Sequence, residues 1–156
     1  MIPDKTTIAL CFYADHLGIE SDLDGTLPVW DGTVLHTGRF TDASDMAHEI
    51  AHWVLATVDQ RAQPNFGLGT DWADGDAPLL VDEATRLEIE ARAAALGIGY
   101  LKALDGDRWS EHLSIAGQQM ALDAHWAPRW RQLCTEVAGH VDDLAHFVTS
   151  RKLLAA

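Results

Sequence analysis

The stretch from Thr41 to Ala56 carries two patterns that a single helix satisfies at once. Met46, Ile50, Trp53 and Val54 recur at i, i+4, i+7 and i+8, the spacing of one helical face turned to a core. Thr41 or Asp42 stands where the cap belongs, and Asp42 and Asp45 lie near the positive N-terminal end. On the other side are His48 and His52, four residues apart and so stacked one above the other. At about 100° per residue they fall opposite Met46 and Ile50, so they either meet water or line a cleft covered by another segment.

His48-Glu49-Ile50-Ala51-His52 is an H-E-x-x-H sequence. Two imidazoles on one helical face can offer nitrogens to a single ion about 2.0–2.1 Å away, the distance that Zn²⁺ prefers. Glu49 then sits beside the ion, where a carboxylate can take a proton from bound water whose pKa falls to roughly 7. The bland alternative is a solvated face with two ordinary histidines. Against it, a His pair bracketing a Glu serves no packing purpose that Lys or Gln would not serve better.

Catalytic sites of this kind use three protein ligands and keep one position open, so a third ligand must come from elsewhere. The next helix is expected over Val81–Leu104, with Leu87, Ala91, Ala94, Ile98 and Leu101 as its apolar stripe. Its Glu88 and Glu90 are the leading candidates, because this helix can pack antiparallel to the first. They point to different faces, so at most one of them ligates easily. Glu83, His112 and His125 are lesser candidates, and His140 and His146 could reach the site from the C-terminal region. Trp53 is expected beside the site and Arg61 near its mouth.

The 156 residues suffice for one domain, 1–156, that folds without a disulfide or a structural metal. Cys11 and Cys134 lie in apolar surroundings and read as reduced core residues. The start of the chain is a poor secretory signal, and no segment approaches the ~18–20 apolar residues of a membrane span. The expected location is cytoplasmic. A formal charge of −13, from 24 acids and 11 bases, repels phosphate and anionic lipid, which argues against nucleic acid and membrane surfaces as partners.

Along the chain, Thr6–Ala14 is apolar and fits either a strand or a first buried helix. Turn signals at Asp22–Gly25 and Trp30–Gly32 precede a short strand over Thr33–His36. A Gly/Pro/Asp-rich loop follows the motif from about Gln60 to Pro78. Ser110 can cap a third helix with Leu113, Ala116, Met120 and Ala124 on one side. From Pro128 a fourth carries Leu133, Val137, Val141, Leu144 and Val148. The expected class is mainly α with a small β element, α+β and zincin-like: an H-E-x-x-H helix on a second helix carrying a Glu, plus two C-terminal helices.

The string Ala47-His48-Glu49-Ile50-Ala51-His52-Trp53, then Ala56, Arg61, Phe66-Gly67 and Leu87-Glu88, resembles the elongation factor P hydroxylase family over about residues 30–100. Phe40 with Ala43-Ser44 is similar to that family's lead-in. The resemblance implies a non-haem Fe²⁺ site of two His and one carboxylate that oxygenates a protein side chain. The chain is shorter than that family, and its Gly/Asp loop and C-terminal helices have no counterpart there. Glu88-Ile89-Glu90-Ala91 and Glu90-Ala91-Arg92-Ala93 also resemble the Glu-x-x-Ala helix of small zincin metallopeptidases. That likeness implies Zn²⁺, a peptide substrate, and Glu49 activating water. Two His and one carboxylate suit either metal, so ligand identity does not choose between the enzymes. A third reading is a non-catalytic binding domain on the same scaffold.

Overall fold

The computed structural model describes residues 4–22, 24–38, 41–69, 77–113 and 127–153. Helix α1 spans Lys5–His16, which settles the first apolar run as helical. Asp4 caps it by accepting from the Thr6 N–H at 2.8 Å, and Ala9, Leu10, Tyr13 and Ala14 form its buried face. Three strands follow: β1 (Ser21–Asp22), β2 (Asp24–Trp30) and β3 (Leu35–Gly38). They form one small sheet in the order β1-β3-β2, with β3 parallel to β1 and antiparallel to β2.

The strand expected at Thr33–His36 begins two residues later, at Leu35. Asp31 Oδ1 accepts from the N–H groups of Thr33 and Val34 at 2.8 and 2.7 Å, which ties both residues into the turn. Helix α2 (Ala43–Leu55) then carries the H-E-x-x-H sequence, with Asp42 as its cap. A short helix α3 (Val58–Arg61) and a 3-10 helix (Pro64–Gly67) occupy the first part of the Gly/Pro-rich connection. The long helix α4 (Glu83–Asp105) starts at Asp82, whose side chain accepts from the Thr85 N–H at 2.7 Å. A 3-10 helix over Gly106–His112 follows, and the last helix, α5, spans Ala127–Ser150.

Three expectations need correction. Trp53 and Val54 are only half-buried, and the core face of α2 consists of Ala43, Met46, Ala47, Ile50 and Ala51. Small residues dominate that face because α4 packs directly on it. Leu87 is 43% exposed and so does not belong to the stripe of α4. Further along, Ala91, Ala93, Ala94, Ala95, Leu96, Ile98, Tyr100 and Leu101 are all buried, as fits a helix lying between α2 and α5. Ser110 sits inside the second 3-10 helix and not at the start of an α-helix. Ala116, Met120 and Ala124 of the expected third helix lie outside the described residues.

The rest follows the pattern read from the chain. Leu133, Val137, Leu144 and Val148 of α5 are buried, with Val141 at the margin. Cys11 and Cys134 are free and half-buried, and burial pushes both thiols up. Among the described residues, no helix is long and apolar enough to cross a membrane. The protein is thus mainly α with a small three-stranded sheet.

Candidate metal centre

Helices α2 and α4 approach so closely at one place that a Cβ on Gly97 would lie 3.4 Å from the Cα and N of His48. That contact sets the depth at which the two histidines meet α4. His48 and His52 project from consecutive turns of α2, and Glu90 projects toward them from α4. Their reactive atoms form a nearly equilateral triangle: His48 Nε2 to His52 Nε2 is 3.0 Å, and Glu90 Oε2 is 3.1 Å from each nitrogen. His52 is 4% exposed.

Protons cannot satisfy this triangle. If both Nε2 atoms carry hydrogen, both donate to Glu90 but the two N–H groups oppose each other at 3.0 Å. If only one carries hydrogen, the lone pair of the other faces the carboxylate oxygen. One cation makes all three edges favourable. Donors about 2.0–2.2 Å from a shared ion are about 2.9 Å apart at right angles and about 3.4 Å apart at the tetrahedral angle. The 3.0–3.1 Å separations fall inside that interval, so His48, His52 and Glu90 could hold one divalent ion.

The electrostatics agree with that geometry. Burial works against charge on His48, but the hydrogen bond and charge of Glu90, with Glu49 and Asp45 behind, raise its pKa. Burial and the charge of His48 lower that of His52. Burial would push Glu90 up, yet the two imidazoles hold it well below the usual carboxylate range. The two imidazoles therefore keep Glu90 ionised.

Neighbouring side chains fix the imidazole planes. The Phe66 ring lies 5.5 Å from that of His52 at 20°, and Trp30 stacks on the far face of this column, 5.5 Å from Phe66 at 3°. Phe66 reaches this place with φ 57°, and Asn65 before it has φ 47°, both in the left-handed region. An aromatic residue there costs on the order of 1–3 kcal/mol. Trp30 Nε1 donates to the Arg61 carbonyl at 2.8 Å. The Arg61 guanidinium lies 3.7 Å over the Trp53 ring, donating to the carbonyls of Trp53 and Val54 at 2.8 and 3.4 Å. Those are end carbonyls of α2, so Arg61 satisfies orphan acceptors at the negative end of the helix dipole.

The two candidate acids therefore part company. Glu90 joins the histidines, whereas Glu88 turns toward α5 and pairs with Arg129, 2.6 Å from Nη2, with Arg92 at 3.7 Å. Arg129, more than any other neighbour, lowers the Glu88 pKa. Glu83 pairs with Arg86, and His112 Nε2 lies 2.7 Å from Asp105. His140 and His146 sit on α5 apart from the cluster, and His125 lies outside the described residues. Glu49 is half-buried on α2 between the two histidines, and its charge acts on His48.

A cleft opens beside His52 between the end of α2 and the start of α4. Leu55, Ala56, Leu68 and Ile89 supply apolar walls, with Phe66 at the back. Of the residues that build this surround, Trp30, Gln60 and Arg92 carry no distinctive sequence signal as site residues. Only the Thr57-x-x-Gln60 capping box is readable in advance, and it announces a helix start, not a cleft. No protein-family model, curated protein or solved structure matches this chain.

Proposed function

We propose that the protein is a metal-dependent hydrolase that cleaves an amide bond in a peptide or protein substrate. His48, His52 and Glu90 would hold the ion, which when bound would supply Lewis-acid polarisation of the scissile carbonyl and a lowered pKa for the attacking water. Glu49 accepts the water proton on its carboxylate. As the C–N bond breaks, the protonated Glu49 returns that proton to the leaving nitrogen, so water is added across the bond and the side chain is regenerated. Phe66 and Arg61 keep His52 and the end of α2 in place during this sequence.

The observation that carries this reading is the pairing of a three-donor triangle with a further acid, Glu49, on the same helix as the two histidines. A hydrolase needs that extra acid as a base. An oxygenase built on two His and one carboxylate does not.

The second reading is the hydroxylase-like one, oxygenation of a protein side chain at Fe²⁺. In its favour, Trp53, Arg61 and Phe66, which carry the family resemblance, gather at the C-terminal end of α2 next to His52. Each also has a scaffold role that either chemistry needs, so the extra acid weighs more.

Glu49→Gln separates the two. Hydrolysis predicts that bound metal is retained while turnover on a peptide mixture falls by about 10²–10⁴-fold. Mass spectrometry of the products reads the chemistry directly: one water gained across a broken bond, or one oxygen atom gained on an intact chain. Full turnover by Glu49→Gln rules out the hydrolase.

A further inference from the structure

Besides His52, the polar residues that line the cleft are Gln60 and Arg92. Gln60 Oε1 is committed to the α3 capping box, accepting from the Thr57 N–H at 2.8 Å, so the amide presents its Nε2 donors. The other polar group is Arg92, one turn past Glu88 on α4 and 37% exposed. Glu136 of α5 takes its Nε and Nη2 at 3.2 and 3.0 Å, which orients the guanidinium fork. Among the described residues no acceptor meets its Nη1. Gln60 and Arg92 line the same cleft as the apolar side chains, and together they suit a ligand with an anionic acceptor and an apolar body.

We infer that Arg92 is a specificity residue that reads a free carboxylate, so that the cleft takes the C-terminal end of a peptide whose last residue is aliphatic or aromatic. A planar guanidinium matches a carboxylate by parallel hydrogen bonds, which a backbone amide carbonyl cannot offer. The side chain of the terminal residue lies against Leu55, Leu68 and Ile89, and Gln60 donates to a second oxygen. Glu88 and Glu136 serve as resident counter-charges that the incoming carboxylate partly displaces. This inference rests on the hydrolase reading for its substrate, but not for the binding that it predicts.

The test is an NMR-detected titration of the full-length protein with isocaproate, a leucine-like acid, and with isocaproamide, its neutral counterpart. The acid is expected to bind about tenfold or more tighter than the amide. That preference should vanish in Arg92→Gln, fall partway in Arg92→Lys, grow in Glu136→Gln and persist in His48→Ala. The lysine variant keeps the charge opposite Glu136 and secures the test should Arg92→Gln misfold. Acid preference that survives Arg92→Gln, or disappears in His48→Ala with Arg92 intact, overturns the inference, as does failure of the acid to bind. Acid binding without cleavage of any carboxylate-terminated peptide leaves Arg92 in its role and removes the hydrolase. Equal cleavage of peptide acids and peptide amides does the reverse.

Discussion

Glu88 and Glu90 are separated by about 200° of rotation about α4, and that rotation gives them different chemistry. One is an ion-pair partner of Arg129, and the other closes a triangle with two histidines. The sequence presents both acids alike, because the phase of α4 depends on two neighbours at once and periodicity reports only one apolar side. Phe66 shows the same limit. Its ring packs against His52 only because its backbone accepts φ 57°, which no local pattern announces. This yields an inverted substitution order: Phe66→Gly should unfold at higher denaturant than Phe66→Ala, by about 1 kcal/mol, because glycine enters that region without penalty. Equal stabilities, or alanine the more stable, would show that the conformation is not strained. On the sheet, His36 Nε2 lies 2.7 Å from Asp31 Oδ2, and this hydrogen bond, outweighing partial burial and helped by Asp22, raises the His36 pKa. Its contribution to stability is therefore present below the ordinary histidine value, about 6.5, and is lost as pH rises through the raised one. At 41% side-chain exposure the effect on stability is small, so the direct reading is an NMR titration of the ring. Its midpoint should lie above 6.5 and return toward it in Asp31→Asn; no change in that variant would contradict the pairing.

At the scale of elements, α4 organises the molecule. Glycine inside a helix costs roughly 0.5–1 kcal/mol against alanine, yet α4 carries Gly97 and Gly99 in its middle. At Gly99 a neighbour comes too near for a larger residue, since Val141 Cγ2 of α5 would be 2.6 Å from an added Cβ; at Gly97 an added Cβ would just touch the His48 backbone at 3.4 Å. Gly99→Ala should therefore destabilise by about 1–3 kcal/mol despite its better helix propensity. Val141→Ala added to it should restore much of the loss, a coupling read by denaturant unfolding of the four-member cycle. Additive losses would mean that the helices do not meet there. Most elements were legible because they announce their own ends: Asp42 and Asp82 cap α2 and α4, and the stripe Leu133, Val137, Leu144 and Val148 marks α5. The first apolar run was ambiguous because its length suits both a strand and a helix. The burial of α4 on nearly all sides was hidden by its alanines, which serve a core and a surface equally well.

The whole molecule is an acidic, mainly helical scaffold whose one group of convergent metal-ligating atoms, among the described residues, lies where α2 meets α4. Its charge of −13 makes the surroundings attractive to divalent cations and unattractive to polyanions. The sequence supplies two of the three convergent donors, the extra acid Glu49, and Glu88 and Glu90 as candidates for the third; the fold brings Glu90 to the histidines and adds the cleft. The central claim is that His48, His52 and Glu90 together hold one ion. Elemental analysis of protein purified without chelator or added metal tests it most directly, in the wild type, Glu90→Gln and Glu88→Gln side by side. The account predicts one zinc or iron per chain in the wild type and in Glu88→Gln, and its loss in Glu90→Gln. A wild type without metal, or Glu90→Gln that keeps it in full, would contradict the account.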